Sequence, residues 1–181
     1  MAGQIDRRTA LAAAGIGALG VTGLLARGVS AAHSSGAGIV AGGSLAGAAG
    51  DIQFSAFGSR IEYSDGHETS QIGTLAWFDP AGLDGGPVTL TLVQVASYGP
   101  GDTDDTRVLA GTVAVNGDGE VPFSLVMVDA GPIGEAVDSV HLTVGPGAAG
   151  DGMMATPSME FTYEASGELT AGDIQIFSQV F

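Results

Sequence analysis

Beyond Asp51 the chain is written in short runs where apolar and polar residues alternate with a period of two, the mark of half-buried strands. Ile52, Phe54 and Ala56 open the series, and Ile61 and Tyr63 continue it after Gly58-Ser59, where the interruption predicts a bulge. Gly73 to Phe78 predicts a second strand, closed by Asp79-Pro80. Pro87 to Ala96 (Val88, Leu90, Leu92, Val93, Val95) predicts a third, rich in β-branched residues. The clearest unit is a hairpin. Val113 and Val115 lead into Asn116-Gly117-Asp118-Gly119, and Val121, Phe123, Leu125 and Met127 alternate strictly on the return. Val140, Leu142 and Val144 share one face of another strand. Met159, Phe161 and Tyr163, then Leu169 to Phe177, suggest a closing hairpin turned at Ser166-Gly167.

No stretch after residue 31 carries a helical period. Around eight short strands punctuated by Gly, Pro and Asp predict an all-β domain, an antiparallel β-sandwich or a small closed β-barrel, preceded by an N-terminal signal helix. The expected core is Ile52, Phe54, Leu75, Trp77, Leu90, Leu92, Val113, Val115, Phe123, Leu125, Leu142, Val144, Phe161 and Ile174. Residues 32–50 are mostly Ala, Gly and Ser. Ile39 and Val40 could start a short strand there, but the composition reads as a flexible linker. The expected division is therefore a signal over 1–31, a linker over 32–50 and one β domain over 51–181.

The N-terminus has a different grammar. Arg7 and Arg8 precede a soft apolar run from Ala10 to Ala26, followed by Arg27 and by Val29-Ser30-Ala31. A basic segment, a short apolar segment and a small-x-small site describe an export signal, and the paired arginines point to the twin-arginine route. Leu11 fits that pattern, while Ala10 and Ala12 depart from it. The apolar run is short and rich in Gly and Ala, against the roughly 20 apolar residues a membrane span needs. Cleavage is expected after Ala31, with an uncleaved anchor as the alternative. The sequence thus implies contact with the twin-arginine export machinery. Membrane contact would be transient or through an uncleaved signal, and the working location is extracytoplasmic: secreted, periplasmic or at the cell surface.

Charge narrows the partners. Without residues 1–31, 19 acids face only Arg60 and Arg107, a formal charge of −17, and the chain contains no lysine. Such a surface repels nucleic acid and anionic lipid and keeps the domain dispersed in salt. With no cysteine, the domain has no disulfide, no lipid attached through a thiol, and no thiolate catalysis or Cys-based metal centre.

Candidate chemistry is sparse. Asp102, Asp104 and Asp105 lie in the loop Gly99-Pro100-Gly101-Asp102-Thr103-Asp104-Asp105, where alternating carboxylates could hold calcium. The loop lacks the Gly and terminal Glu of an EF-hand, so a solvated acidic loop is the simpler reading. Asp118 and Glu120 flank the hairpin turn, where Asp serves turn chemistry. His33, His67 and His141 are too scattered for a zinc site, and no Gly-x-Ser-x-Gly elbow is present. No catalytic residue or cofactor is assigned. Trp77, Phe78, Tyr63 and Tyr98 could line a ligand mouth, although strand aromatics usually pack.

Four places resemble exported bacterial domains of the post-COAP-1 family. They are Gly38-Ile39-Val40-Ala41-Gly42-Gly43, then Ile52 to Phe57, then Gly111 to Gly119 running into Val121–Met127, and finally Asp129-Ala130-Gly131 followed by Asp138 and the strand to Val144. The resemblance spans most of residues 38–145 and implies an exported β domain without assigned catalytic residues. The leading expectation is a non-enzymatic exported module with a structural or interaction role. The alternative is a barrel that binds a small ligand or calcium. A hydrolytic or isomerase-like barrel would need His67 or His141 beside a carboxylate in an interior cavity.

Overall fold

The computed structural model describes residues 34–63, 69–82, 86–132, 137–148 and 160–180. Eight strands run in chain order: β1 Ser34–Leu45, β2 Ile52–Tyr63, β3 Ser70–Asp79, β4 Val88–Pro100, β5 Thr106–Val115, β6 Asp118–Val128, β7 Ser139–Val144 and β8 Tyr163–Val180. Each pairs antiparallel with the next, and β8 pairs back with β1, so the sheet closes into an up-and-down barrel. Of the two architectures the alternation allows, the barrel is the one formed.

Closure follows from the pattern. One face of each strand is apolar, and in a closed sheet of eight strands those faces point at one another and fill the interior. Trp77, Phe123, Leu90, Leu109, Leu125, Met127 and Leu142 are all essentially inaccessible there. Every expected core residue is buried except Leu92 and Phe161, which are partly buried and pack against the cluster. The outward positions of β7 and β8, such as His141, Glu164, Ser166 and Glu168, are polar and exposed. On β1, β3 and β4 the outer wall also exposes Val40, Ile72, Phe78 and Val93. No helix among the described residues is long and apolar enough to cross a membrane.

Three local expectations are corrected. Residues 34–45, read as linker, form the full strand β1 and pair with both β2 and β8. Their small side chains are a packing requirement, since a Cβ at Gly38 would run into the Phe177 ring, and one at Gly43 into the Ala171 carbonyl. Ile39, Ala41 and Leu45 alternate inward between the glycines and are buried. There is no bulge at Gly58-Ser59, because β2 runs in continuous register with β1 and β3. The irregularities of that half of the barrel lie on β4, at Leu92/Gln94 and Val95/Ser97. Each adds a residue, which is why Leu92, Val93 and Val95 break strict alternation. Nor is there a hairpin at Ser166-Gly167: β8 is one strand of 18 residues. Gly167 faces inward opposite Val140, where a Cβ would lie 3.5 Å from Leu45.

The hairpin between β5 and β6 forms as expected. Asn116 (φ 53°) and Gly117 (φ 84°) both occupy the left-handed region that a two-residue turn of this hand requires. The signal residues Arg7, Arg8 and Ala31 lie outside the described residues, as do His33, His67 and Met153-Met154.

Candidate functional site

Up-and-down topology sorts the polar groups of the interior to the two ends. At one end, where β3 finishes and β8 begins, Trp77 Nε1 donates to the Tyr163 hydroxyl at 3.1 Å, and that hydroxyl donates to Asp79 Oδ2 at 2.8 Å. The other Asp79 oxygen accepts the Ala81 N–H at 2.9 Å. Burial alone would raise the Asp79 carboxyl. The Tyr163 hydroxyl and the Gly82 and Ala81 amides more than offset it and hold the carboxyl below its ordinary value. Burial likewise pushes the Tyr163 hydroxyl well up, with Asp79 adding to the rise and Trp77 opposing it. Every member of this chain has a partner, so it ties β3 to β8 and offers no free group.

The opposite end is where β2 ends and β5 begins. Arg60 and Arg107, the two cations that remain beyond residue 31, both occupy inward register positions here. Arg60 lies in line with Gly58, and Arg107 with Leu109. Between them β3 and β4 part company. They pair only from Ala76 to Asp79 against Val88 to Thr91, and beyond that the Gln71 side chain spans the seam, its Oε1 accepting the Tyr98 N–H at 2.9 Å. The Tyr98 ring crosses the inside of this seam and lies over Gly58, where no Cβ could fit beside it.

Tyr98 is 3% exposed, yet its hydroxyl has no well-aligned hydrogen-bond partner. Burial pushes that hydroxyl up to about 12. The Arg107 guanidinium opposes the rise both by its charge and by a poorly aligned hydrogen bond to the hydroxyl. Arg60 Nε is a second buried donor without a partner, while its Nη2 reaches Glu62 at 2.9 Å on the exposed rim. Arg107 Nη1 donates to the carbonyls of Asp104 (2.8 Å) and Thr106 (2.7 Å).

The acidic loop Asp102–Asp105 joins β4 to β5 at this same end. Its carboxylates are exposed and do not converge: no group of three or more metal-ligating side chains forms among the described residues. Asp105 accepts instead from the Thr103 and Thr106 hydroxyls, which hold its carboxyl below the ordinary range. Asp118 and Glu120 are exposed at the hairpin turn. His141 points outward from β7, with Nε2 3.0 Å from Glu164 Oε1, and does not enter the interior. Of the aromatics that could have lined a mouth, Trp77 sits in the core of the far end and Phe78 faces outward. Tyr98 alone combines burial with an unpaired polar atom.

Two further carboxylates escaped the sequence reading as functional groups, and their role is in the fold. Asp138 and Asp129 accept backbone N–H groups of β8, at Ile174 (2.7 Å) and Ile176 (2.9 Å). The available signal was their place in Asp129-Ala130-Gly131…Asp138, at the start of a strand. No protein-family model, no curated protein and no solved structure matches this chain.

Proposed function

We propose that this chain is an exported, non-enzymatic β-barrel domain that works outside the cytoplasm as a structural or interaction module. The observation that carries the reading is how the interior spends its polar groups. Asp79, Asp129 and Asp138, the acids bonded to buried or seam backbone, accept from amides and a tyrosine that hold strands together. A general base or nucleophile needs a free lone pair or proton facing a substrate, and these groups are committed elsewhere. Of the two histidines considered as a base, His141 faces outward, and His67 lies outside the described residues.

Export rests on Arg7-Arg8, the apolar run and Ala31, and on the resemblance to exported post-COAP-1 domains. A strongly acidic composition and the absence of cysteine suit a folded domain delivered to an extracytoplasmic space.

The test is fractionation of cells producing the full chain beside an Arg7→Lys/Arg8→Lys variant. The parent is expected outside the cytoplasm with its intact mass shortened to begin at Ala32, and the variant inside at full length. Recovery of both in the cytoplasm would overturn the export reading. Native mass spectrometry of the exported protein is expected to give the bare polypeptide mass. A stoichiometric organic or metal mass would overturn the purely structural reading in favour of a ligand-binding barrel.

A further inference from the structure

We infer that the arginine end of the barrel is a binding site for a small oxyanion of the carboxylate class, held by the Tyr98 hydroxyl with the Arg60 and Arg107 guanidinium groups. The site goes beyond the module reading and holds whether or not the domain is exported.

The argument begins with cost. A buried donor left unpaired forfeits about 1–3 kcal/mol of hydration, and two such donors, Tyr98 Oη–H and Arg60 Nε–H, belong to inward positions at one end of one barrel. At the far end the Tyr163 hydroxyl is satisfied by a carboxylate, Asp79, and in turn accepts from Trp77 Nε1. The arginine end has the donors, and its own buried carboxylate, Asp138, is taken up by the Ala130 and Ile174 amides. A carboxylate supplied from outside completes it in the same way, accepting from a phenol and a guanidinium.

Charge placement agrees. In a domain of 19 acids and two arginines beyond residue 31, both arginines project into the same end. Neither is consumed by a buried carboxylate. Arg60 meets Glu62 only at the exposed rim, and Arg107 Nη1 is bonded to neutral carbonyls. Access follows from topology: β3 and β4 are unpaired beyond Ala76, where the Gln71 side chain accepts the Tyr98 N–H across the seam. Side chains rather than a backbone ladder close this stretch, Gln71 by its hydrogen bond and Val95 by packing against Gly73.

The surrounding negative charge sets the character of the site. Long-range repulsion from the acids weakens capture of anions, so the site is shallow in affinity and exchanges rapidly. A ligand whose apolar tail lies along the exposed Ile72 and Val93 at the seam would bind better than a bare ion.

The experiment is an NMR titration of the whole mature domain with sodium acetate and with sodium hexanoate, at constant ionic strength against sodium chloride. Both probes are expected to give saturable shifts of the Tyr98 ring and Arg60 Nε resonances, with hexanoate the tighter. Tyr98→Phe should weaken the response about tenfold, the value of one hydrogen bond to a charged acceptor. Arg60→Gln and Arg107→Gln should weaken it as well, while His141→Gln, on the outer wall, should leave it unchanged. Linear shifts matching those of chloride, or shifts kept at full strength in Tyr98→Phe, would overturn the site. So would a crystal structure grown in acetate with an ordered water alone bridging Tyr98 and the arginines. Tyr98→Phe deletes one oxygen and no packing atom, so loss of response cannot be ascribed to unfolding if its tyrosine and tryptophan spectra otherwise match the parent.

Discussion

The Asp138 carboxylate accepts the Ile174 N–H at 2.7 Å, in the place where a longer β7 would have offered β8 a backbone carbonyl. β7 is only six residues long and pairs with β8 from Tyr163 to Glu168. From Leu169 onward β8 pairs with β1 on its other side, so its remaining N–H groups on the β7 side would be orphaned. Asp138 takes Ile174, its backbone carbonyl takes Leu169 at 2.8 Å, and Asp129 takes Ile176. Two aspartates thus finish the seam of the barrel.

Removal of that carboxylate should be costly. Asp138→Ala leaves the Ile174 and Ala130 amides without their acceptor, and is expected to lose about 2–4 kcal/mol, from two charge-assisted bonds of partly buried donors. Asp138→Asn keeps one acceptor oxygen and should lose less. Denaturant unfolding gives the stability, and hydrogen exchange at the Ile174 amide, protected in the parent and fast in Asp138→Ala, localises the loss.

Stability should fall at both extremes of pH, for reasons with opposite signs. Asp79 ionises more readily in the folded chain than in the unfolded one. Its contribution is therefore present above the unfolded value of about 4 and is lost as the pH drops below it. Tyr98, raised to about 12, and Tyr163, also raised, keep their protons in the fold beyond the unfolded value of about 10. Their contribution is full below pH about 10 and is lost as the pH climbs toward 12. Unfolding free energies across pH 2–12 should show both limbs, and Tyr98→Phe should flatten the alkaline one. An alkaline limb unchanged in Tyr98→Phe would remove the assignment.

Gly58 is a further point of strain tolerance. The Tyr98 ring occupies the space a Cβ would need, and Gly58 lies opposite Gly73 on β3. Gly58→Ala should cost about 1–3 kcal/mol by forcing the ring aside. The double variant Gly58→Ala/Tyr98→Leu should recover part of that loss, measured by the same unfolding experiment.

Much of the barrel was legible because its strands are amphipathic. Val121, Phe123, Leu125 and Met127 alternate without exception, and Asn116-Gly117 marks its turn unaided. β1 was not legible, since a strand whose outward face must admit Phe177 and whose partner backbone presses against Gly43 is written in Gly, Ala and Ser, the same letters as a linker. β8 was misread at Gly167, where a Ser-Gly pair inside a continuous strand imitates a turn. The arginine end was invisible as a site. Arg60, Gln71, Tyr98 and Arg107 come from four different strands, with no spacing to join them, and only the register of the closed sheet brings them to one end. The two arginines were noticed for their rarity alone.

The account separates buried polar groups that hold the barrel together, such as Tyr163, from the Tyr98 hydroxyl at the arginine end, left for a ligand. Deleting a single hydroxyl at each end, by Tyr163→Phe and by Tyr98→Phe, and measuring unfolding at neutral pH without added carboxylate, tests that division most directly. Tyr163→Phe should lose about 1–3 kcal/mol, because Asp79 and Trp77 Nε1 both lose their partner. Tyr98→Phe should lose little or nothing, because it removes a buried polar atom that has no well-aligned hydrogen bond. Equal losses from the two variants would contradict the account.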